Sequence, residues 1–238
     1  MSSRRLKTRV MELLAGSDVD RLLAELRLLP AQDVIHALFS AICRPEEPLR
    51  WYAVQAMGVS VARLAAADME AARIVMRRLL WSLNEESGGI GWGAPEALAE
   101  IMCRHQGLAG EYVHMLISYM RDDGPELFQE GNFLEHAALQ QGLLWGVGRL
   151  AEVRPGMLQE RGVVADLLFY LDSEDHVVRG LAARALGLLQ APQAVAGLAK
   201  LVGDSFPLSL YDKGVLRTVT VEELGREALQ RIQSAEVN

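Results

Sequence analysis

Apolar positions along the chain recur at helical spacing, and the blocks they form recur in turn. Leu38-Phe39, Ile42 and Leu49 set an order that returns without a gap as Leu79-Leu80, Leu83 and Ile90. It returns again as Leu167-Leu168, Leu171 and Val178. Each block predicts a helix A, a short loop and a helix B. Helix B carries its own signature. Leu49-Arg50-Trp51-Tyr52-Ala53-Val54-Gln55-Ala56-Met57-Gly58 matches Val178-Arg179-Gly180-Leu181-Ala182-Ala183-Arg184-Ala185-Leu186-Gly187. Both have an aliphatic residue, then Arg, then small residues, then Gly. Ile90 to Ala99 keeps this frame with Gly91 in place of Arg, and Leu139 to Gly148 keeps it more loosely. A period of roughly 40 to 50 residues predicts a stacked helical array, in which one unit buries its apolar stripe only against the next. Small residues on helix B predict close helix–helix approach.

The flanks differ. Residues 3–29 predict one or two helices broken near Gly16-Ser17-Asp18, with Ser17 or Asp18 as a cap. Pro30 opens the next helix, and Pro45-Glu46-Glu47-Pro48 marks the first A–B loop. The second unit predicts helices near 68–83 and 94–106, the third near 110–121 and 133–152. The third A–B connection is lengthened by Gly124 to Asn132, and in repeat proteins such insertions map to one edge. Leu208 to Tyr211, Asp212-Lys213-Gly214 and Val215 to Val221 predict a β-hairpin. Thr220-Val221-Glu222-Glu223 predicts a capping box opening a last helix. The expected fold is all-α: a right-handed α-solenoid of about four to five HEAT-like helix pairs, with a short C-terminal β-hairpin. One domain over 1–238 is expected, with capping helices in 1–30, repeats in 31–203, and the hairpin and terminal helix in 204–238.

The fourth unit carries a resemblance. Leu171-Asp172-Ser173-Glu174-Asp175-His176-Val177-Val178-Arg179, then Ala182 to Gly187, then Ala194-Val195 and Leu198, resembles the HEAT-like repeats of the phycobilin-lyase type. The resemblance covers about residues 31–203 and implies the fold without naming a reaction. The wider class includes scaffolds, bilin lyases, hydroxylases and alkyl-purine DNA glycosylases.

Composition narrows the classes. The net charge of −7 gives no basic footprint for general nucleic-acid binding. Arg4, Arg5, Lys7 and Arg9 form the clear basic cluster, read as a solvated first turn. The N-terminal segment has no apolar signal region, and no run reaches membrane-spanning length. A soluble, cytoplasmic protein that binds no membrane is therefore expected. Cys43 and Cys103 read as two reduced, half-buried thiols.

Candidate chemistry is sparse. The gapless register places all A–B loops on one edge, and they carry Glu46, Glu47, Glu85, Glu86, Asp122, Asp123, Glu126, Glu130, Glu135, Asp172, Glu174 and Asp175. Opposing basic residues there are chiefly Arg44 and Arg121. Such acids suit helix N-termini, and they also suit a docking strip for a basic segment. Gly88, Gly89, Gly91 and Gly93 precede Pro95 and Glu96, as a tight turn or an anion-binding nest. Trp92 holds the repeat position of Trp51, and the two are candidates to lie one above the other. With Trp145 they are candidate anchors.

Glu96 and Glu100 share a helix face, Glu111 and His114 have E-x-x-H spacing, and Glu135-His136 reverses the His-Glu pair of HEAT-like hydroxylases. Isolated His and Glu residues of this kind are expected to be solvated or hydrogen-bonded surface groups. No HExxH, paired-Cys or Gly-x-Ser-x-Gly motif is present.

The expected function is a non-catalytic adaptor, chaperone or assembly factor without catalytic residue, metal or cofactor. It binds a protein partner through the concave face and the edge bearing Glu85, Glu86, Gly88, Gly89, Trp92 and Glu96. The alternative is a metal- or cofactor-handling enzyme such as a hydroxylase or bilin lyase, built on Glu96, Glu100, Glu111, His114 and His136. A self-associating repeat protein is a third reading.

Overall fold

The computed structural model describes residues 3–84, 91–122 and 131–236. Among these are thirteen α-helices and one two-stranded antiparallel sheet. The chain divides into two compact units, Met1–Val113 and His114–Asn238.

The first unit opens with α1 (Ser3–Leu14) and α2 (Val19–Arg27). They break where expected, and Asp18 accepts a hydrogen bond from the Arg21 amide to cap α2. The helix pairs follow: α3 (Ala31–Ala41) with α4 (Glu47–Ala67), then α5 (Met69–Leu83) with α6 (Ala94–Arg104). Pro48 and Pro95 stand in the first turns of α4 and α6, where a missing amide hydrogen costs nothing. The repeated apolar positions are the core. Val34, Leu38, Ile42, Val54, Met57, Met76, Leu79, Leu98 and Ile101 are buried, each fully buried aliphatic contributing about 1.5–3 kcal/mol. α6 stops at Arg104 and α7 (Gln106–Ser118) starts at once. His105 is extended, and its Nδ1 accepts from the Leu108 amide, so a cap lies just inside the helix end predicted near 106, and α7 starts earlier than the 110 predicted.

The second unit holds α8 (Ala137–Val153), α9 (Pro155–Gln159) and α10 (Val163–Phe169), which tightens into a 3₁₀ turn at Tyr170–Asp172. Next come α11 (His176–Leu188) and α12 (Val195–Ala199). The hairpin pairs β1 (Pro207–Asp212) with β2 (Val215–Thr220), and α13 (Val221–Glu236) follows. The turn uses Lys213 and Gly214, both at positive φ, the geometry that matches strand twist. The capping box forms in both directions: Thr220 N donates to Glu223 Oε2 at 2.7 Å, and Glu223 N to Thr220 Oγ1 at 3.2 Å. Trp145 Nε1 donates to the Tyr211 carbonyl at 2.8 Å and ties the hairpin to α8. The lengthened third loop falls largely at 123–130, outside the described residues.

The repeated glycine is a contact point between successive B helices. A Cβ on Gly58 would lie 2.7 Å from Glu100 Cγ of α6. One on Gly148 would lie 3.0 Å from Arg184 Nη1 of α11, and one on Gly187 2.5 Å from Ala228 Cα of α13. Helix α13 thus stands to α11 as α6 stands to α4.

Candidate functional site

The repeated arginine explains much of the A–B loop edge. Arg50 in the first turn of α4 donates from Nη1 to Glu96 Oε1 of α6 at 2.8 Å and lies 3.9 Å from Glu47. Its guanidinium carbon sits 4.5 Å from the centroid of the Trp51 ring. Arg179 in the first turn of α11 plays the same part. Its Nε and Nη2 grip Asp204 Oδ2 at 3.1 and 2.7 Å, and Nη1 donates to the carbonyls of Ser173 and Glu174. In both units the arginine joins helix B to a carboxylate of the following repeat. Where α8 has glutamines instead, Gln141 Nε2 donates to Asp175 Oδ2 at 2.8 Å. Gly91 replaces the arginine for a steric reason: a Cβ there would lie 2.7 Å from the Ser82 carbonyl oxygen.

Glu96 and Glu100 are hydrogen-bonded, as expected of such groups, but are buried and not at the surface. They are only 3% and 1% exposed. Glu96 is held by Arg50, and its Oε2 has no hydrogen-bond partner among the described residues. Burial raises the Glu96 carboxyl above the ordinary range, against the opposing pull of Arg50. Glu100 Oε1 accepts from Arg104 Nε at 2.8 Å. The other enzyme candidates are also engaged or solvated. Glu111 takes a two-pronged grip from Arg73 at 2.7 and 2.8 Å, which holds its carboxyl below the usual range. His114 is exposed. His136 is exposed too, and its Nδ1 accepts from the Ala138 amide at the start of α8. Among the described residues no group of three or more His, Cys, Asp or Glu converges to hold a metal ion.

The cysteines differ from the expected half-buried pair: Cys43 is exposed and Cys103 buried. Cys43 Sγ lies 3.5 Å from the Trp92 carbonyl, and partial burial, then Glu96, pushes its thiol pKa up. The loop acids are likewise less bare than the sequence implied. Asp175 caps α11 by accepting from the Val177 and Val178 amides. Lys200 lies 3.5 Å from Asp172, while Arg121 turns to Asp166 of α10 at 2.7 Å. Glu85, Glu86, Gly88 and Gly89 lie outside the described residues.

Three tryptophans take different roles. Trp51 is 4% exposed and Trp145 5%, so both rings belong to the interior of their own units. Trp92 is 36% exposed. It shares the repeat position of Trp51 but not its local structure. Trp51 is inside α4, whereas Trp92 precedes α6. Gly93 separates them, at φ 74°, and a Cβ there would meet the Ile42 carbonyl oxygen.

The fourth tryptophan was missed from the sequence. Trp81, in the last turn of α5, is 70% exposed. Its signal was present. The buried stripe of α5 runs Ala72, Val75, Met76, Leu79, Leu80, Leu83, and position 81 falls on the opposite face. Ile74, seven residues earlier on that outer face, is also exposed. The contact of Gly91 with Ser82 brings the two chain segments together, so exposed Trp81 and Trp92 flank one backbone meeting point.

This architecture is that of the all-α helical-repeat solenoid class, closed by a β-hairpin. No protein-family model matches the sequence, and no curated protein matches it significantly. Solved structures do match in fold. An engineered protein aligns with a TM-score of 0.54 at 17% identity, covering 98% of each chain. A second engineered protein gives 0.52 at 17%, over 96% of this chain and 98% of that one. A designed armadillo repeat protein in complex with the peptide (KR)4 gives 0.51 at 17%, over 94% and 98%. No helix among the described residues is long and apolar enough to cross a membrane.

Proposed function

We propose that the protein is a non-catalytic interaction module that captures a basic, extended segment of a partner protein at the A–B loop edge of the first unit. The observation that carries this is the pairing of the exposed Trp81 and Trp92 segments at the Ser82–Gly91 contact. Exposed tryptophans are costly to leave wet and are common interface anchors. Acidic residues occur on the same A–B loop edge: Glu46 and Glu47 at the entry to α4, and, in sequence between the two tryptophans, Glu85 and Glu86. That combination suits lysine and arginine side chains, whose stems pack on indole and whose charge meets carboxylate. The complex of a designed repeat protein of this fold with a lysine–arginine peptide supports the reading. The fourth unit's resemblance to phycobilin-lyase-type HEAT repeats supports a repeat module and names no reaction.

The test is a fluorescence titration with (KR)4 beside an acidic peptide of equal length. Binding of (KR)4 is expected, weakening as salt rises. The Trp81→Ala/Trp92→Ala variant should bind about tenfold or more weakly while its thermal unfolding changes little. Equal affinity in that variant, or equal binding of the acidic peptide, overturns the proposal.

A further inference from the structure

The second unit contains a pocket of about 500 Å³ that the loop-edge reading does not use. This is within the size range of small-molecule sites, roughly 300–1,000 Å³. Its walls come from the end of α8, α9, α11, the hairpin and α13. Arg184 of α11 is central. Its side chain is nearly buried, and it pairs with Asp212 Oδ1 at 3.0 Å and approaches Glu152 at 3.9 Å. Gly148 makes room for it, since a Cβ there would crowd the guanidinium.

Charge is unevenly distributed around this group. The lining holds Arg184, Lys213, Arg217 and Arg231 against Glu152, Asp212 and Glu227. Arg149 adds a further cation through its 3.0 Å pair with Glu152. Asp212 and Glu152 are each shared: Arg217 also reaches Asp212, and Lys213 also reaches Glu152. The lining thus holds four cations against three carboxylates, with Arg149 behind Glu152, in a chain whose net charge is −7. Burial lowers the Arg184 pKa against the opposing pull of Asp212 and Glu152, and Arg149 and Arg217 add smaller lowering effects. A local cationic excess at a concave site in an acidic protein is what an anion would neutralise.

Backbone conformation points to the same place. Among the described residues, two that are not glycine have positive φ: Gln190 at 52° and Lys213 at 49°. Both line this pocket. Gln190 ends α11 in a left-handed cap: the Ala191 amide bonds back to Leu186 and the Gln190 amide to Gly187. Glycine is the inexpensive residue at such a cap and in such a turn. Each position instead keeps a long polar side chain at the pocket wall, at a steric cost to the backbone.

We infer that this pocket binds a small anionic molecule, recognised through a phosphate or carboxylate group by the guanidinium groups of Arg184 and Arg217, with Lys213 and Gln190 completing the wall. Guanidinium forks bind both groups in a two-pronged manner.

The test is calorimetric titration of the full chain with inorganic pyrophosphate, with citrate, and with maltose as a neutral comparator. One anion is expected to bind at a single site while maltose does not. Preference for pyrophosphate assigns a phosphate ligand, and preference for citrate a carboxylate one. Arg217→Gln should lower affinity about tenfold in a protein that still folds, because Arg217 is half-exposed. Gln190→Gly should raise the melting temperature and yet weaken binding. A residue serving only as a helix cap would give the first effect without the second. Binding of neither anion, or affinity unchanged in both variants, overturns the inference.

Discussion

The α4–α6 contact of the first unit and the α11–α13 contact of the second occupy the same place in the repeat, yet their chemistry differs. In the first, Gly58 faces the stem of Glu100, and Arg50 reaches the deeply buried Glu96. In the second, Gly187 faces the backbone of Ala228, and Arg179 reaches Asp204, which retains 15% side-chain exposure. The repeat therefore specifies where two helices touch and where an arginine reaches across. It leaves open whether the partner surface is polar or apolar, wet or dry. That freedom allows one unit to carry buried charge while the other closes on alanine.

The comparison is broken most severely at the glycines. Gly187→Ala should destabilise the second unit by about 3 kcal/mol, because its Cβ meets main chain that moves only if α13 moves. Gly58→Ala should cost about 1 kcal/mol, since the Glu100 stem can swing away. Urea unfolding of both variants checks the order, and equal losses would erase the distinction.

The arginines come next. Arg50→Met should cost about 2–3 kcal/mol by leaving a carboxylate in a dry site. Arg179→Met should cost about 1–2 kcal/mol, as Asp204 keeps water. Denaturant midpoints for the pair measure the difference.

The smallest effect is in pH. The Glu96 carboxyl is raised in the folded protein, so it contributes stability that is fully present below its unfolded pKa, about 4.3. That contribution is lost as pH rises through the folded value. Relative to Glu96→Gln, the wild type should therefore lose melting temperature across that rise. Parallel melting curves for the two proteins at every pH would show that Glu96 does not titrate in this way.

Particular residues show how far the sequence was legible. The glycine frame ending at 58, 148 and 187 was readable because close helix approach demands a missing side chain, and the structure uses it so at all three. Asp18 and the Thr220–Glu223 box were readable because capping is local. Trp92 misled: identical register with Trp51 did not survive the left-handed turn at Gly93. Glu96 and Glu100 misled because burial depends on a neighbouring helix, which spacing along one helix does not reveal. Trp81 was visible as a residue off the buried stripe of α5, yet it drew no notice beside the glycine-rich segment that follows. The second-unit pocket had no linear signal, since its walls run from Ala151 to Arg231 across five elements.

The ties that hold the repeats have one more consequence. Arg50 and Glu96 are 46 residues apart, Arg179 and Asp204 25, and Trp145 and Tyr211 66. Each closes before two further repeats of chain have been made. A nascent polypeptide built in this way can consolidate stepwise as it leaves the ribosome, without waiting for its C-terminus. Helix α4 can lock onto α6 long before α13 exists, so the order of synthesis is also an order of assembly.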